Sequence, residues 1–219
     1  MVMTAIGKSG TIDNFFTEAE LSPVLKYFIN MPQAVGFNYG AGINEDHTMY
    51  SWFVKKVFVK IQEMFSKNIQ LATVNYLNEH TPLGLHSDYY HSYRDTGTPY
   101  LAMLIPISVD DQHNFSNTVN TVVFNEEDDC VEKVRGLSWS KRKWESVRTP
   151  KENNAMQYRD EYLSHINPVD LECLTVHTIA EWKFGSLIYW DERLLHTSDN
   201  FTKNNVKSKQ ALVLHTYVL

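Results

Sequence analysis

The stretch GLHSDYYH, residues 84–91, packs two histidines, an aspartate and two tyrosines into eight positions. Alternate residues of an extended segment point the same way, so His86 and Asp88 can aim an imidazole and a carboxylate at one point. That is what two ligands of a single metal ion need. A third ligand must come from elsewhere, and His196 is the best candidate, in GSLIYWDERLLHTSDNF just after an apolar strand and a turn. Two histidines and a carboxylate on one face of a metal leave the opposite positions open, which suits Fe(II). Zinc fits the same ligands. Thirteen residues after His196, Lys209 opens the apolar stretch KQALVLHTYV. A charge leading such a strand is costly if buried alone and makes sense if it meets an anion. The alternative is a surface lysine at a strand end. Lys207 is a rival two residues away.

The elements that must hold these groups are legible in part. After a short lead-in at 11–15, TEAELSPVLKYFINM opens as a capped helix, with Thr17 the cap and Glu20 at capping-box spacing. Pro23 is expected to delay or kink it. Tyr50, Phe53, Val54, Val57, Ile61, Met64 and Phe65 form an apolar stripe at helical spacing, expected to pack on a sheet. After Lys67 the pattern turns to short β-rich segments at 71–77, 99–108, 121–124, 185–190 and 211–218, with a weaker one at 171–179. Helices first and six or more strands after predict an α+β domain with a sandwich or double-sheet roll. Residues 125–168 interrupt the strands as a charged insertion, read as a lid or a solvated segment.

Bulk properties exclude some classes. The 219 residues are read as one domain, with helical support at 1–69 and a β core at 70–219. A net charge of −6 argues against a nucleic-acid surface, even though Trp139, Lys141, Arg142, Lys143 and Trp144 mix basic and aromatic groups. Cys130 and Cys173 are too few for a disulfide framework and form no C-x-x-C pair. The absence of a signal peptide or a membrane-length apolar run predicts a cytoplasmic protein without membrane partners. His80 and His91 flank the motif and are read as outer or surface groups. His215 is read equally as facing the site or as a core or surface histidine.

The order strand, H-x-D, long interval, G-S-L-I-x-W-D-x-x-x-x-H, then a basic residue before a final strand, resembles the Fe(II)/2-oxoglutarate-dependent oxygenases. The resemblance covers roughly residues 70–219. It implies a double-stranded β-helix (a jelly-roll, cupin-like core) with N-terminal supporting helices. It implies His86, Asp88 and His196 as metal ligands, with no catalytic residue beyond them. Lys209, together with Tyr76 ten residues before His86, is implied to bind 2-oxoglutarate. A lysine in that role is similar to the prolyl 4-hydroxylases. The implied cofactors are Fe(II) and 2-oxoglutarate, with ascorbate in support. The implied reaction is hydroxylation of a small-molecule or peptidyl substrate with release of succinate and CO2. Tyr90 and Arg193 are candidates for the substrate side; an ordinary sheet tyrosine and an ion pair with Asp191 are their alternatives. Asp88 argues against a halogenase, where the carboxylate position must be vacant. A cupin-like metalloprotein without 2-oxoglutarate is the enzyme alternative, lowered because no H-x-H exists in the chain. A non-catalytic jelly-roll binding domain is the third reading.

Overall fold

The computed structural model describes residues 8–28, 39–43, 46, 48–66, 68–88, 98–110, 112, 118–127 and 154–218. Numbered in chain order, the strands are β1 (Ser9–Ile12), β2 (Tyr39–Gly42), β3 (Ile69–Glu79), β4 (Thr98–Val109), β5 (Asn120–Glu127), β6 (Val176–Glu181), β7 (Leu187–Asp191), β8 (Leu194–Ser198) and β9 (Lys209–Val218). They form a six-stranded sheet of order β1-β7-β4-β9-β3-β2 and a three-stranded sheet of order β6-β5-β8, and every pairing is antiparallel.

The large sheet is covered on both faces, which is why β4 and β9 read as continuous apolar runs. Alternation sorts their residues between two cores. Leu212 and Leu214 of β9 pack with Leu101, Met103 and Ile105 of β4 against the helices. Ala211 and Val213 pack with Ala102 and Leu104 against the small sheet, among Val123, Ile188 and Trp190. The expected double-stranded β-helix with helices on its large sheet is the architecture found.

Helix α1 (Glu18–Phe28) starts where the capping box requires. The Thr17 amide donates to Glu20 Oε2 at 2.7 Å, and the Glu20 amide donates to Thr17 Oγ1 at 3.3 Å. Pro23 lies inside the helix without delaying its start. The second helical stretch is composite: a first α turn (Tyr50–Trp52), a π-helical segment (Phe53–Phe58) and a closing α segment (Val59–Met64). Phe53, Val57, Ile61 and Phe65 are buried on a four-residue step, and Phe58 joins them. Met64, expected in the stripe, is 44% exposed. The wide i→i+5 turns of the π segment rotate the closing α segment, so the stripe passes Met64 by.

The insertion is only partly what its charge suggested. Residues 125–127 belong to β5, and residues 128–153 lie outside the described part, including the Trp139–Trp144 stretch. The rest docks on the small sheet through a 3₁₀ turn (Ala155–Tyr158) and a π turn (Arg159–Leu163). Ala155, Leu163 and Ile166 there pack with Leu171 and Leu174 against Val122, Phe124 and Leu195. The weak strand at 171–179 resolves into the end of a short helix, α2 (Pro168–Leu171), and the start of β6. Asn167 caps that helix by accepting from the Val169 amide at 3.1 Å. No helix among the described residues is long and apolar enough to cross a membrane.

Candidate metal centre and its cavity

His196 follows an apolar strand and a turn, as expected, and lies in the middle of a further strand, β8, whose five residues are all buried. Residues 86–88 lie along the free edge of that strand. The His86 amide donates to the His196 carbonyl at 3.0 Å and the His196 amide to the His86 carbonyl at 2.8 Å. The Asp88 amide donates to the carbonyl of Glu192, in the turn between β7 and β8, at 3.1 Å. The main chain therefore clamps both candidate ligands of the H-x-D segment onto the hairpin that carries the third.

The side chains converge accordingly. One ligand atom from each of His86, Asp88 and His196 lies within 4.8 Å of the others. His196 Nε2 stands 3.3 Å from Asp88 Oδ2. Each Nδ1 faces a backbone carbonyl, that of Gly84 at 2.7 Å from His86 and that of Leu194 at 3.1 Å from His196. A carbonyl only accepts, so each Nδ1 carries the hydrogen and each Nε2 keeps its lone pair for a metal. Burial holds His196 at about 4, against the pull of Asp88, so the ring is neutral at pH 7.

Trp190, which stood in the G-S-L-I-x-W-D motif without a role of its own, fixes the carboxylate. Its Nε1–H donates to Asp88 Oδ2 at 3.1 Å, and its ring centroid lies 4.7 Å from that of His196. Glu192 was also not singled out. It is fully buried, its Oε1 accepts from the Thr216 amide at 3.1 Å, and the same oxygen is 3.7 Å from His215 Nδ1. Burial raises the Glu192 carboxyl. Burial pulls His215 down, but the Asp88 and Glu192 carboxylates outweigh it and the net direction is up.

These groups open into a cavity of about 540 Å³ between the two sheets, lined also by Thr73, Asn75, Glu79, Lys209 and His215. Ser198 lines it two residues beyond His196, hence about 7 Å along β8. Lys209 is 2% exposed, which removes the surface-lysine alternative. Its Nζ lies 3.1 Å from Glu79 Oε2, 4.2 Å from the Trp182 ring centroid and 5.2 Å from that of Phe201. Lys207 is exposed and absent from the cavity wall. Its amide donates to Asp110 Oδ1 at 2.7 Å.

Two expected contacts are corrected. Tyr76 is buried on the other face of β3, in the core beneath the helices. Thr73, Asn75, Leu77 and Glu79 face the cavity, and alternation sends residue 76 away from it. Arg193 does not line the cavity. Its guanidinium grips Asp191, with Nε to Oδ1 at 3.0 Å and Nη2 to Oδ2 at 2.7 Å. Tyr90 and His91 lie outside the described residues. His80 points instead at the Lys207 carbonyl, 3.2 Å from its Nδ1.

No protein-family model and no curated protein sequence matches the chain. Solved structures do. An oxidoreductase of the 2OG-Fe(II) oxygenase family from Burkholderia pseudomallei is 11% identical, with a TM-score of 0.53 over 96% of this chain and 84% of that one. The non-heme alpha-ketoglutarate-dependent epimerase SnoN from nogalamycin biosynthesis is 8% identical, with a TM-score of 0.57 over 96% and 78%. A prolyl-4-hydroxylase from Pseudomonas putida is 8% identical, with a TM-score of 0.50 over 98% and 95%. At these identities the likeness is one of fold, and the fold is that of the 2-oxoglutarate- and Fe(II)-dependent oxygenases.

Proposed function

We propose that the protein is an Fe(II)- and 2-oxoglutarate-dependent oxygenase that hydroxylates a small-molecule or peptidyl substrate. The observation that carries this reading is the convergence of His86, Asp88 and His196 within 4.8 Å, with both Nδ1 atoms held by carbonyls. Two imidazole nitrogens and one carboxylate fit Fe(II) with open positions on the cavity side. A bound iron would couple decarboxylation of 2-oxoglutarate by dioxygen to oxidation of a substrate C–H bond, yielding succinate and CO2.

The chain's own groups do the rest. Trp190 keeps one Asp88 oxygen turned inward, and the Gly84 and Leu194 carbonyls keep both rings in the ligating tautomer. Lys209 supplies the buried cation for the far carboxylate of 2-oxoglutarate. Leu104 and Val213 line the cavity with apolar surface, which limits the water around the reacting centre.

The test is an anaerobic titration with Fe(II) and 2-oxoglutarate, followed by the visible metal-to-ligand charge-transfer band. The band is expected in the native protein and absent in His196→Ala. A protein that binds Fe(II) but never develops the band would instead favour the cupin-like alternative. Binding of neither metal nor acid would return His86 and Asp88 to a polar turn.

A further inference from the structure

The cation assigned to the co-substrate already faces a carboxylate. Glu79 and Lys209 are direct cross-strand partners in the β3–β9 register, and they are 4% and 2% exposed. Glu79 Oε2 lies 3.1 Å from Nζ and also accepts from Ser198 Oγ at 2.9 Å. Ser198 Oγ in turn accepts the Leu83 amide at 3.1 Å. The rings of Trp182 and Phe201 cover other sides of the ammonium. Asp199, 1% exposed, is a second carboxyl; burial raises it, against the pull of Lys209. Its Oδ2 takes the Asn120 amide and Nδ2, while Oδ1 is buried without a hydrogen bond among the described residues. Burial first, and then Lys209, pull His165 down. Asp110 and His80 turn to the backbone of Lys207 instead. Two buried carboxyls thus share one cation, and Glu79 is the one in direct contact with it.

A third carboxylate cannot enter that balance unchanged. Displacing Glu79 from Lys209 would leave a buried anion without its cation, which is strongly destabilising. A proton resolves the conflict, because a neutral carboxyl loses its charge and gains an O–H donor for the incoming carboxylate. We propose that Glu79 is the counter-ion that closes the anion subsite: the far carboxylate of the co-substrate takes over Lys209 as Glu79 takes up one proton from solvent. Glu79 then determines how tightly the site holds a dicarboxylic acid at a given pH. This rests on the reading of the cavity as a 2-oxoglutarate site.

The experiment is anaerobic calorimetric titration of 2-oxoglutarate into the Fe(II)-saturated full chain, from about pH 6.5 to about 8.5, in two buffers of different ionisation enthalpy. The native protein should take up close to one proton per ligand, and its Kd should weaken by about tenfold per pH unit. Glu79→Gln keeps the side-chain size and a donor. It should lose the proton uptake, flatten the pH dependence, and bind at least about tenfold tighter at the alkaline end. Asp199→Asn should keep the uptake. No uptake in the native protein, which needs no variant to fold, overturns the proposal. So does an uptake that survives in Glu79→Gln. Absence of 2-oxoglutarate binding in both proteins at every pH, with the metal bound, refutes the oxygenase reading itself, a different outcome from binding without a proton.

Discussion

Trp190→Phe isolates the support of the candidate metal centre from its ligands. The substitution removes one N–H donor, 3.1 Å from Asp88 Oδ2, and leaves a ring to stack near His196. Trp190 is 2% exposed and Asp88 6%, so water does not readily replace the lost bond. A hydrogen bond to a charged group contributes about 1.5–3 kcal/mol. If that difference falls on the metal-bound state, it weakens metal affinity by about 10- to 100-fold, the range measured when such supporting partners are removed. The indole-to-phenyl truncation also leaves unfilled volume between the sheets, so some loss of Tm is expected and does not by itself test the argument. The assay is competition for Zn(II) or Fe(II) against a chromophoric chelator, using variant protein with a native far-UV circular dichroism spectrum. Affinity within about twofold of the native value would show that Asp88 does not depend on Trp190 and would refute the reasoning.

Asp88→Ala should abolish metal binding in the same competition assay and leave no succinate production above background; retained turnover would remove Asp88 from the ligand set. Tyr76→Phe should leave the 2-oxoglutarate Kd unchanged, because the ring lies beneath the helices and not in the cavity; a weakened Kd would place the hydroxyl at the ligand after all. Glu20 is held at about 2, below its ordinary 4.5, first by the Thr17 amide and then by Lys60. A carboxyl lowered on folding contributes stability that is complete above its unfolded value and is lost as pH falls toward the folded one. The stability gap between native protein and Glu20→Gln should therefore narrow from pH 4.5 to pH 2 in denaturant titrations; a gap that stays constant would show that the capping box is not ionic.

Residue type and spacing picked out His86, Asp88 and His196, the three groups that the structure brings together, before any geometry. His86 and Asp88 had the right parity, and His196 and Lys209 stood near the apolar runs that became β7 and β9. The supporting shell was less accessible. Trp190 and Glu192 act through a hydrogen bond and a buried carboxylate, which no local pattern announces. Tyr76 was misplaced although its own strand held the signal. In β3 the polar residues Thr73, Asn75 and Glu79 fall on one parity and Tyr76 on the other, so the cavity-facing set was written in the alternation. The apolar residues on both faces masked it. Strands β1 and β2 are four residues each and carry no alternation, and β8 follows β7 after a two-residue turn, too close to read as separate. Met64 was lost to the π segment, whose wider turn no periodicity of 3.6 anticipates.

The place of β9 governs when the protein can become functional during its synthesis. It lies between β4 and β3 in the large sheet although it comes after β4 by about 100 residues and after β3 by about 130. A nascent chain leaving the ribosome must therefore carry β3 and β4 with their inner edges unpaired until residues 209–218 emerge. Unpaired edges of this kind invite association with other chains. The same late strand brings Lys209, Val213 and His215 to the cavity, so its cation arrives only when the sheet closes around β9. A chain stalled short of β9 lacks the part of the wall that Lys209, Val213 and His215 form.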